Sequence, residues 1–483
     1  MAPADKATRW GDDKMNRDGG SHLAIVSSLH LVMLSLIVAA YLAIGAQYAI
    51  LTPRWQVPDE PAHYNYIRFI VDTGALPTLD EGEYQQGYLA ELTSRKFPPE
   101  LSIAPLQYES WQPPLYYLLA APLFLISSGD LLALRLFSLA LGAGVIIFTC
   151  LAAREAVPRH PGVAIVAAGF TAFIPQHIAM MAGVNNDSLS ELLIAVGLWL
   201  ILRLHNNRSE ANHFEVWNLK FEILNLEFVL LGFVIGLAFI TKSQAYVLLP
   251  IAGLVLAFKW RRNFQSSASQ TTNRHLPITQ LAALFLPALL IGSLWWTRNI
   301  AVYGWPDFMG AIRHDHVVAD QPRTNEWIEQ LGATEVLRRF GQTTFQSFWG
   351  QFGWMGVVMD SRVYVVLLVY TVLLTGGAAG YWRTRGLEDS PISNYYLLTA
   401  SALLTLGLYL FYNLTYVQHQ GRYFFPALVP IGLAASLSLW RWGAMIEAAT
   451  RRKIGWLAPV GALAGMAALS VWSLYRFIIP ALR

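Results

Sequence analysis

A succession of apolar runs constrains this chain more than any other feature. The clear ones lie at roughly 23–51, 131–152, 162–181, 188–204, 223–241, 244–260, 278–297, 362–382, 394–413, 423–440 and 455–478. Runs of about 18 residues or more can cross a bilayer as helices. Only 13% of the residues are charged, against about 25% in soluble domains. The predicted fold is an all-α integral membrane protein, a bundle of about eleven transmembrane helices. Residues 1–22 read as a mixed-charge tail and 23–483 as one polytopic membrane domain, with no soluble C-terminal domain expected. The first run is too long for a signal-peptide core and reads as an uncleaved anchor. The single cysteine, Cys150, excludes an intrachain disulfide and a cysteine metal site. No basic stripe with interleaved aromatics points to nucleic acid.

The stretch Leu115–Ser128 sets the parity of everything after it. It has 14 residues with Pro122 near its middle, where about 20 are needed to cross. It is expected to lie at the interface or to re-enter. One face then receives Lys6, Arg9, Lys14 and Arg17, followed by Arg154/Arg159, Arg203/Arg208/Lys220, Lys259/Arg261/Arg262/Arg274, Arg383/Arg385 and Arg441/Arg451/Arg452/Lys453. The opposite short loops hold only Lys242 and Arg422. The positive-inside rule makes the N-terminus cytoplasmic and the C-terminus external. Two large loops, about 52–130 and 297–361, fall outside the cell membrane.

The unusual polar residues gather at that outer face. Asp59-Glu60 follows the first run and opens a short helix framed by Pro61 and Gly74. Asp59 reads either as an N-cap or as a general base at the membrane surface. His63 shares the helix face of Asp59 and Glu60 and reads as a hydrogen-bonding partner or as half a metal site. Asn185-Asn186-Asp187-Ser188 precedes the fourth run, with Ser188 and Glu191 at capping-box spacing. Lys242, Arg298 and Arg422 stand at the outer ends of three runs, where they either snorkel or bind a phosphate. Gln112-Pro113-Pro114 breaks the chain before Leu115. Phe348-Trp349-Gly350-Gln351-Phe352-Gly353-Trp354 suits the interface. Gln418-His419-Gln420 reads as solvated loop or substrate contact.

Taken together, Pro-Asp-Glu-Pro-Ala-His after the first run, Gln-Pro-Pro-Leu-Tyr-Tyr, Asn-Asn-Asp, Thr241-Lys242, Trp-Trp-Thr-Arg-Asn with Tyr303-Gly304-Trp305-Pro306, and Gly-Arg-Tyr-Phe-Phe-Pro resemble the GT-C superfamily of membrane glycosyltransferases. The likeness is to bacterial relatives of protein O-mannosyltransferases and the aminoarabinose transferase, and it covers about residues 23–440. It implies a GT-C-like bundle with interfacial helices in two outer loops. It also implies an inverting enzyme that takes a hexosyl or pentosyl group from a polyprenyl-phosphate carrier to a glycan, lipid or protein acceptor outside the cytoplasm. By position, Asp59, Glu60 and Asp187 are the candidate catalytic carboxylates, and Lys242, Arg298 and Arg422 the candidate phosphate-binding cations. His63, Gln112, Tyr116, Asn186, Trp349, Trp354, Gln418 and Gln420 would line the substrate pocket. No cofactor is required by these residues, and a divalent metal held by His63 with Asp59 or Glu60 stays open. The competing reading is a transporter or flippase of an anionic lipid-linked saccharide. That reading calls for ionisable residues near mid-membrane, where the runs have almost none.

Overall fold

The computed structural model describes the backbone of residues 8–206, 213–216, 219–266, 278–384 and 392–483, and the side chains of 28–206, 226–261, 278–383 and 392–483. The tail 1–22 and Arg208, Lys220, Arg262, Arg274 and Arg385, all used in the charge asymmetry, lie outside the described side chains.

Helices dominate because the apolar runs have no water to satisfy their backbone and must bond internally. Among the described residues, nine helices are long and apolar enough to cross a membrane. A bent pair, Pro161–Ala172 with Pro175–Met181, makes a tenth if counted as one span. Its 67° bend falls where Pro175 withholds a backbone donor and disfavours helix at Ile174. The eleventh expected span forms the helix Ile223–Phe239, 17 residues and so roughly 25 Å long. That is slightly short of the hydrocarbon core. It lies tight along Ile278–Tyr303: a Cβ on Gly232 would come within 2.3 Å of the Leu284 carbonyl oxygen. The stretch 115–128 gives a 12-residue helix, Leu115–Ile126, at roughly 18 Å too short to cross. Its first amide, Leu115, donates to the carbonyl of Ile240 at 2.9 Å. Strands are few: Gln351–Phe352 pairs antiparallel with Val357–Val358, Gln351 opposite Val358, and His213–Val216 with Leu219–Glu222.

One buried ion pair fixes the first long loop to the bundle. Arg135, in the helix Leu131–Ala156, donates from Nε and Nη2 to the two oxygens of Glu60 at 2.8 and 2.7 Å. Its remaining donors reach the carbonyls of Ala49, Thr52 and Pro53. Those carbonyls close the end of the Thr8–Leu51 helix, whose last C=O groups have no intrahelical partner. Glu60 also accepts from the amides of Trp55 and Val184. Both side chains are nearly inaccessible, at 3% and 0%. Satisfying every donor and lone pair is what makes such burial tolerable.

The two long loops form one layer over that end of the bundle. Tyr303 accepts from the Leu79 amide, Arg313 donates to the Leu79 carbonyl, and Asp320 accepts from the Gln86 amide. Thr324 ties the second loop to the Ile392–Thr415 helix through the Asn413 carbonyl.

Two outcomes follow from this arrangement. In a Cys150→Ser background, cysteines at Glu81 and Ser128 should react with an impermeant maleimide from the same side, and one at Ala448 from the other. Labelling of Glu81 and Ser128 from opposite sides would mean that Leu115–Ile126 crosses. Second, Arg135→Met alone strands a buried carboxylate and should destabilise by about 3–5 kcal/mol. The double variant Glu60→Gln/Arg135→Met should recover much of that loss in detergent melts.

Candidate active site

Three spans begin on charged residues that meet in one cavity of about 820 Å³ beneath the loop layer. Asp187 is the first residue of the helix Asp187–Asn206. Lys242 precedes a 3₁₀ turn, Ser243–Val247, that leads into Leu248–Ser266. Arg422 lies in a second 3₁₀ turn, Gly421–Ala427, that leads into Leu428–Thr450. Gly421 is required there. Its amide donates to Ser347 Oγ at 2.7 Å, and a Cβ would come within 2.3 Å of the Phe348 nitrogen and the Thr344 carbonyl oxygen. The helix Ala333–Trp349 thus seats the turn that carries Arg422.

Asp59 reaches the cavity through strained backbone. It occupies the N-cap position of the helix Glu60–Thr73 with φ of 65°, and its side chain makes no capping bond. A left-handed residue other than glycine is uncommon, and such strain persists where the surroundings enforce it. The carboxylate turns toward the bundle instead. Oδ2 accepts from Arg422 Nη2 at 2.8 Å and Oδ1 from the Tyr108 hydroxyl at 3.0 Å. Burial pushes the Asp59 carboxyl up, but the charge of Arg422 and the bonds from Arg422 and Tyr108 more than reverse this. It stays ionised, with its pKa below the ordinary carboxylate value.

A second ion pair stands beside the first. Lys242 Nζ lies 2.5 Å from Asp187 Oδ1 and donates to Asn186 Oδ1 at 3.0 Å. Asn186 in turn donates to Gln112 Oε1 at 3.3 Å. His63, 2% exposed, shares a hydrogen bond with the Tyr117 hydroxyl at 2.9 Å. Burial and then Lys242 push its pKa down to about 3, so its ring is neutral.

Of the residues expected from sequence, Asp59, His63, Gln112, Asp187, Lys242 and Arg422 line this cavity, and Asn186 sits directly behind its Lys242. The others are corrected. Glu60 is not beside Asp59 in the site, because Arg135 and two amides occupy both of its oxygens. Arg298 braces the first loop, donating to the Pro77 carbonyl and to Asn299 while stacking near Trp295. Tyr116 is wholly buried and holds Ser138 and the Asn185 amide. Trp349 is buried with its Nε1 on Thr371, and Trp354 donates to the Trp55 carbonyl and stacks on Phe97. Gln418 and Gln420 bond each other at 2.6 Å away from the cavity wall. The capping box does not form either: Glu191 binds His177 Nε2 at 3.0 Å inside the bundle.

The cavity also holds residues that sequence reasoning missed. Glu109 contributes a third carboxyl; Trp111, His314, Tyr412 and Tyr416 form an aromatic wall. Glu109 sits three residues before the Gln112-Pro113-Pro114 signal, which was the one local hint. Toward the lipid side the wall is apolar: Val247 and Pro250 from one span face Leu403, Leu408 and Phe411 from another, the last three exposed on the outside of the bundle.

Asp59 and Asp187 are each matched by a fixed cation, which would repel a metal ion. Among the described residues no group of three or more His, Cys, Asp or Glu is arranged to hold one.

The neutral ring of His63 has a thermodynamic signature. Between about pH 6.5 and 3 the unfolded chain takes up a proton that folded His63 refuses. Stability contributed by this group is therefore lost as pH falls through that window. His63→Gln should flatten the decline seen in melts between pH 6.5 and 4.5. An unchanged decline would show that the folded protein protonates His63.

Comparison with known proteins places the fold. Residues 103–431, more than half of the chain, match a family described as "Predicted membrane protein (DUF2142)". No curated protein matches the sequence. Among solved structures, ArnT from Cupriavidus metallidurans in the apo state superposes with a TM-score of 0.50 at 14% identity, covering 95% of this chain and 74% of that one. ArnT bound to undecaprenyl phosphate gives 0.49 at 14%, covering 94% and 74%. The oligosaccharyltransferase of Archaeoglobus fulgidus tethered to an acceptor peptide gives 0.49 at 14%, covering 92% and 55%. The chain thus spans about half the length of that oligosaccharyltransferase.

Proposed function

We propose that this chain, which belongs to the DUF2142 family of membrane proteins and carries the GT-C fold, is an inverting glycosyltransferase that moves a hexose or pentose from a polyprenyl-phosphate carrier to an acceptor outside the cytoplasm. One observation carries this reading. Two carboxylate–cation pairs, Asp59–Arg422 and Asp187–Lys242, share a cavity whose far wall is apolar and is formed by Leu403, Leu408 and Phe411, exposed on the outside of the bundle. A lipid-linked anion needs both surfaces at once.

The chemistry follows from the donors that remain. Arg422 directs one nitrogen at Asp59, while Nη1 meets only the Met180 sulfur at 3.9 Å. Lys242 uses two of its three donors on Asp187 and Asn186. A carrier phosphate between them takes the remaining donors, with its prenyl chain along Val247, Leu403 and Leu408. As the bond from the anomeric carbon to the phosphate oxygen breaks, negative charge grows on that oxygen. Fixed cations stabilise it there without reorganising. Asp59, ionised and held from two sides, accepts a hydrogen bond from the acceptor hydroxyl and aligns it opposite the leaving phosphate. A single in-line displacement inverts the anomeric centre. A transporter would instead need charged groups along a path to the other face; here the cavity's charges stand where three spans begin.

Purified protein given radiolabelled undecaprenyl-phosphate-linked hexoses and pentoses, with glycan and lipid acceptors, tests the reading. Asp59→Asn should lose transfer by about 10²-fold through misalignment of the acceptor hydroxyl and keep binding of undecaprenyl phosphate. Lys242→Ala and Arg422→Ala should weaken that binding. Normal turnover by Asp59→Asn, or vectorial lipid movement with no sugar transfer, would overturn it.

A further inference from the structure

The cavity contains one acidic group that no ion pair accounts for. Glu109 follows Tyr108, whose hydroxyl donates to Asp59, so the two carboxyls are held on adjoining parts of the same wall. Of its two oxygens, Oε2 is buried and has no hydrogen-bond partner. A buried acceptor left open is costly and calls for a partner that arrives with a ligand. By contrast, each oxygen of Asp59 already accepts one hydrogen bond, from Arg422 or from Tyr108, and keeps a further lone pair that can orient a hydroxyl.

We infer that Glu109 is the group that takes the acceptor's hydroxyl proton during transfer, while Asp59 orients that hydroxyl. The inference rests on the glycosyl-transfer reading. The acceptor oxygen forms its bond to the anomeric carbon. The bond from that carbon to the carrier phosphate oxygen breaks, and its electron pair stays on the phosphate. The hydroxyl proton passes to Glu109 Oε2, converting the carboxylate to a neutral acid as the phosphate gains the negative charge. Atoms and charge balance without a further reactant.

The groups facing Glu109 from the packed elements support this division of labour. Burial and the neighbouring charge of Asp59 push its pKa up, Lys242 and a bond from Gln112 pull it down, and Asp187 pushes it up, leaving it at about 7. His63, His314, Asp315 and Arg422 complete the charged or titratable groups on the cavity wall with Tyr246, Tyr409, Tyr412, Tyr416 and Tyr423. A base whose pKa lies near the working pH both is ionised and can hold a proton. Asp59, pinned well into its ionised form by Arg422, holds one poorly.

The test is the pH dependence of single-turnover transfer from an undecaprenyl-phosphate-linked sugar. Wild type should lose activity as pH falls through about 7. Glu109→Gln should transfer about 10²–10⁴-fold more slowly, bind undecaprenyl phosphate as wild type does, and show no limb near pH 7. Glu109→Asp keeps a carboxyl and should restore much of the rate with its own acid limb; should Glu109→Gln fail to bind undecaprenyl phosphate, this variant decides. Transfer by wild type together with an unchanged profile in Glu109→Gln, or with no change of the limb in Glu109→Asp, overturns the inference and leaves the glycosyltransferase standing. No transfer by wild type from any such donor overturns both.

Discussion

Burying charge in an apolar bundle is costly unless it is paired and hydrogen-bonded, and the Glu60–Arg135 pair is the instance on which the rest depends. It joins the end of the Thr8–Leu51 helix, the start of Glu60–Thr73 and the helix Leu131–Ala156 through six side-chain hydrogen bonds and ion contacts. Fixing Glu60 in that position leaves its neighbour Asp59 little freedom. The chain turns through a left-handed residue, and the Asp59 side chain is delivered to Arg422, 363 residues away in sequence. The structural carboxylate is buried beyond reach, and the adjacent one faces a cavity. A difference of one residue separates clamp from chemistry.

The same rule shapes the cavity. Arg422 and Lys242 each begin a span, where the unsatisfied amides of a helix start already favour negative charge. An extra cation at that end attracts an anion and would be poorly placed without one. Asp59 and Asp187 serve as resident partners that hold both cations in place. They also leave unused donors on each. The aromatic side around Trp111 and His314 and the apolar side around Leu403 and Phe411 give the cavity two unlike walls. That suits a donor with a hydrocarbon chain on one side and a polar acceptor on the other.

Much of this could be read from the chain, because the informative residues broke a pattern. Lys242 and Arg422 stood out as cations on the face poor in cations, and Asp59 and Asp187 as acids flanking spans. The short Leu115–Ile126 helix was legible from its length and from Pro122. What could not be read depends on distant partners. Arg135 lies inside an apolar run, and nothing near it in sequence signals that Glu60 will claim it. Arg298 resembled the other cations until the Pro77 carbonyl took it up. Trp349 looked interfacial by composition, yet Thr371 satisfies its indole inside the bundle. Glu109 carried no pattern beyond its nearness to Gln112-Pro113-Pro114; the open oxygen in a formed cavity marks it.

The central claim is that one lipid-bordered cavity binds a carrier phosphate between Lys242 and Arg422. A cryo-electron microscopy structure of the protein in nanodiscs with saturating undecaprenyl phosphate tests it most directly. The account predicts phosphate density within hydrogen-bond distance of Lys242 Nζ and the Arg422 guanidinium, with the prenyl chain running out past Val247 and Leu408. Phosphate bound at Arg298 or elsewhere on the bundle, with this cavity empty, would contradict it.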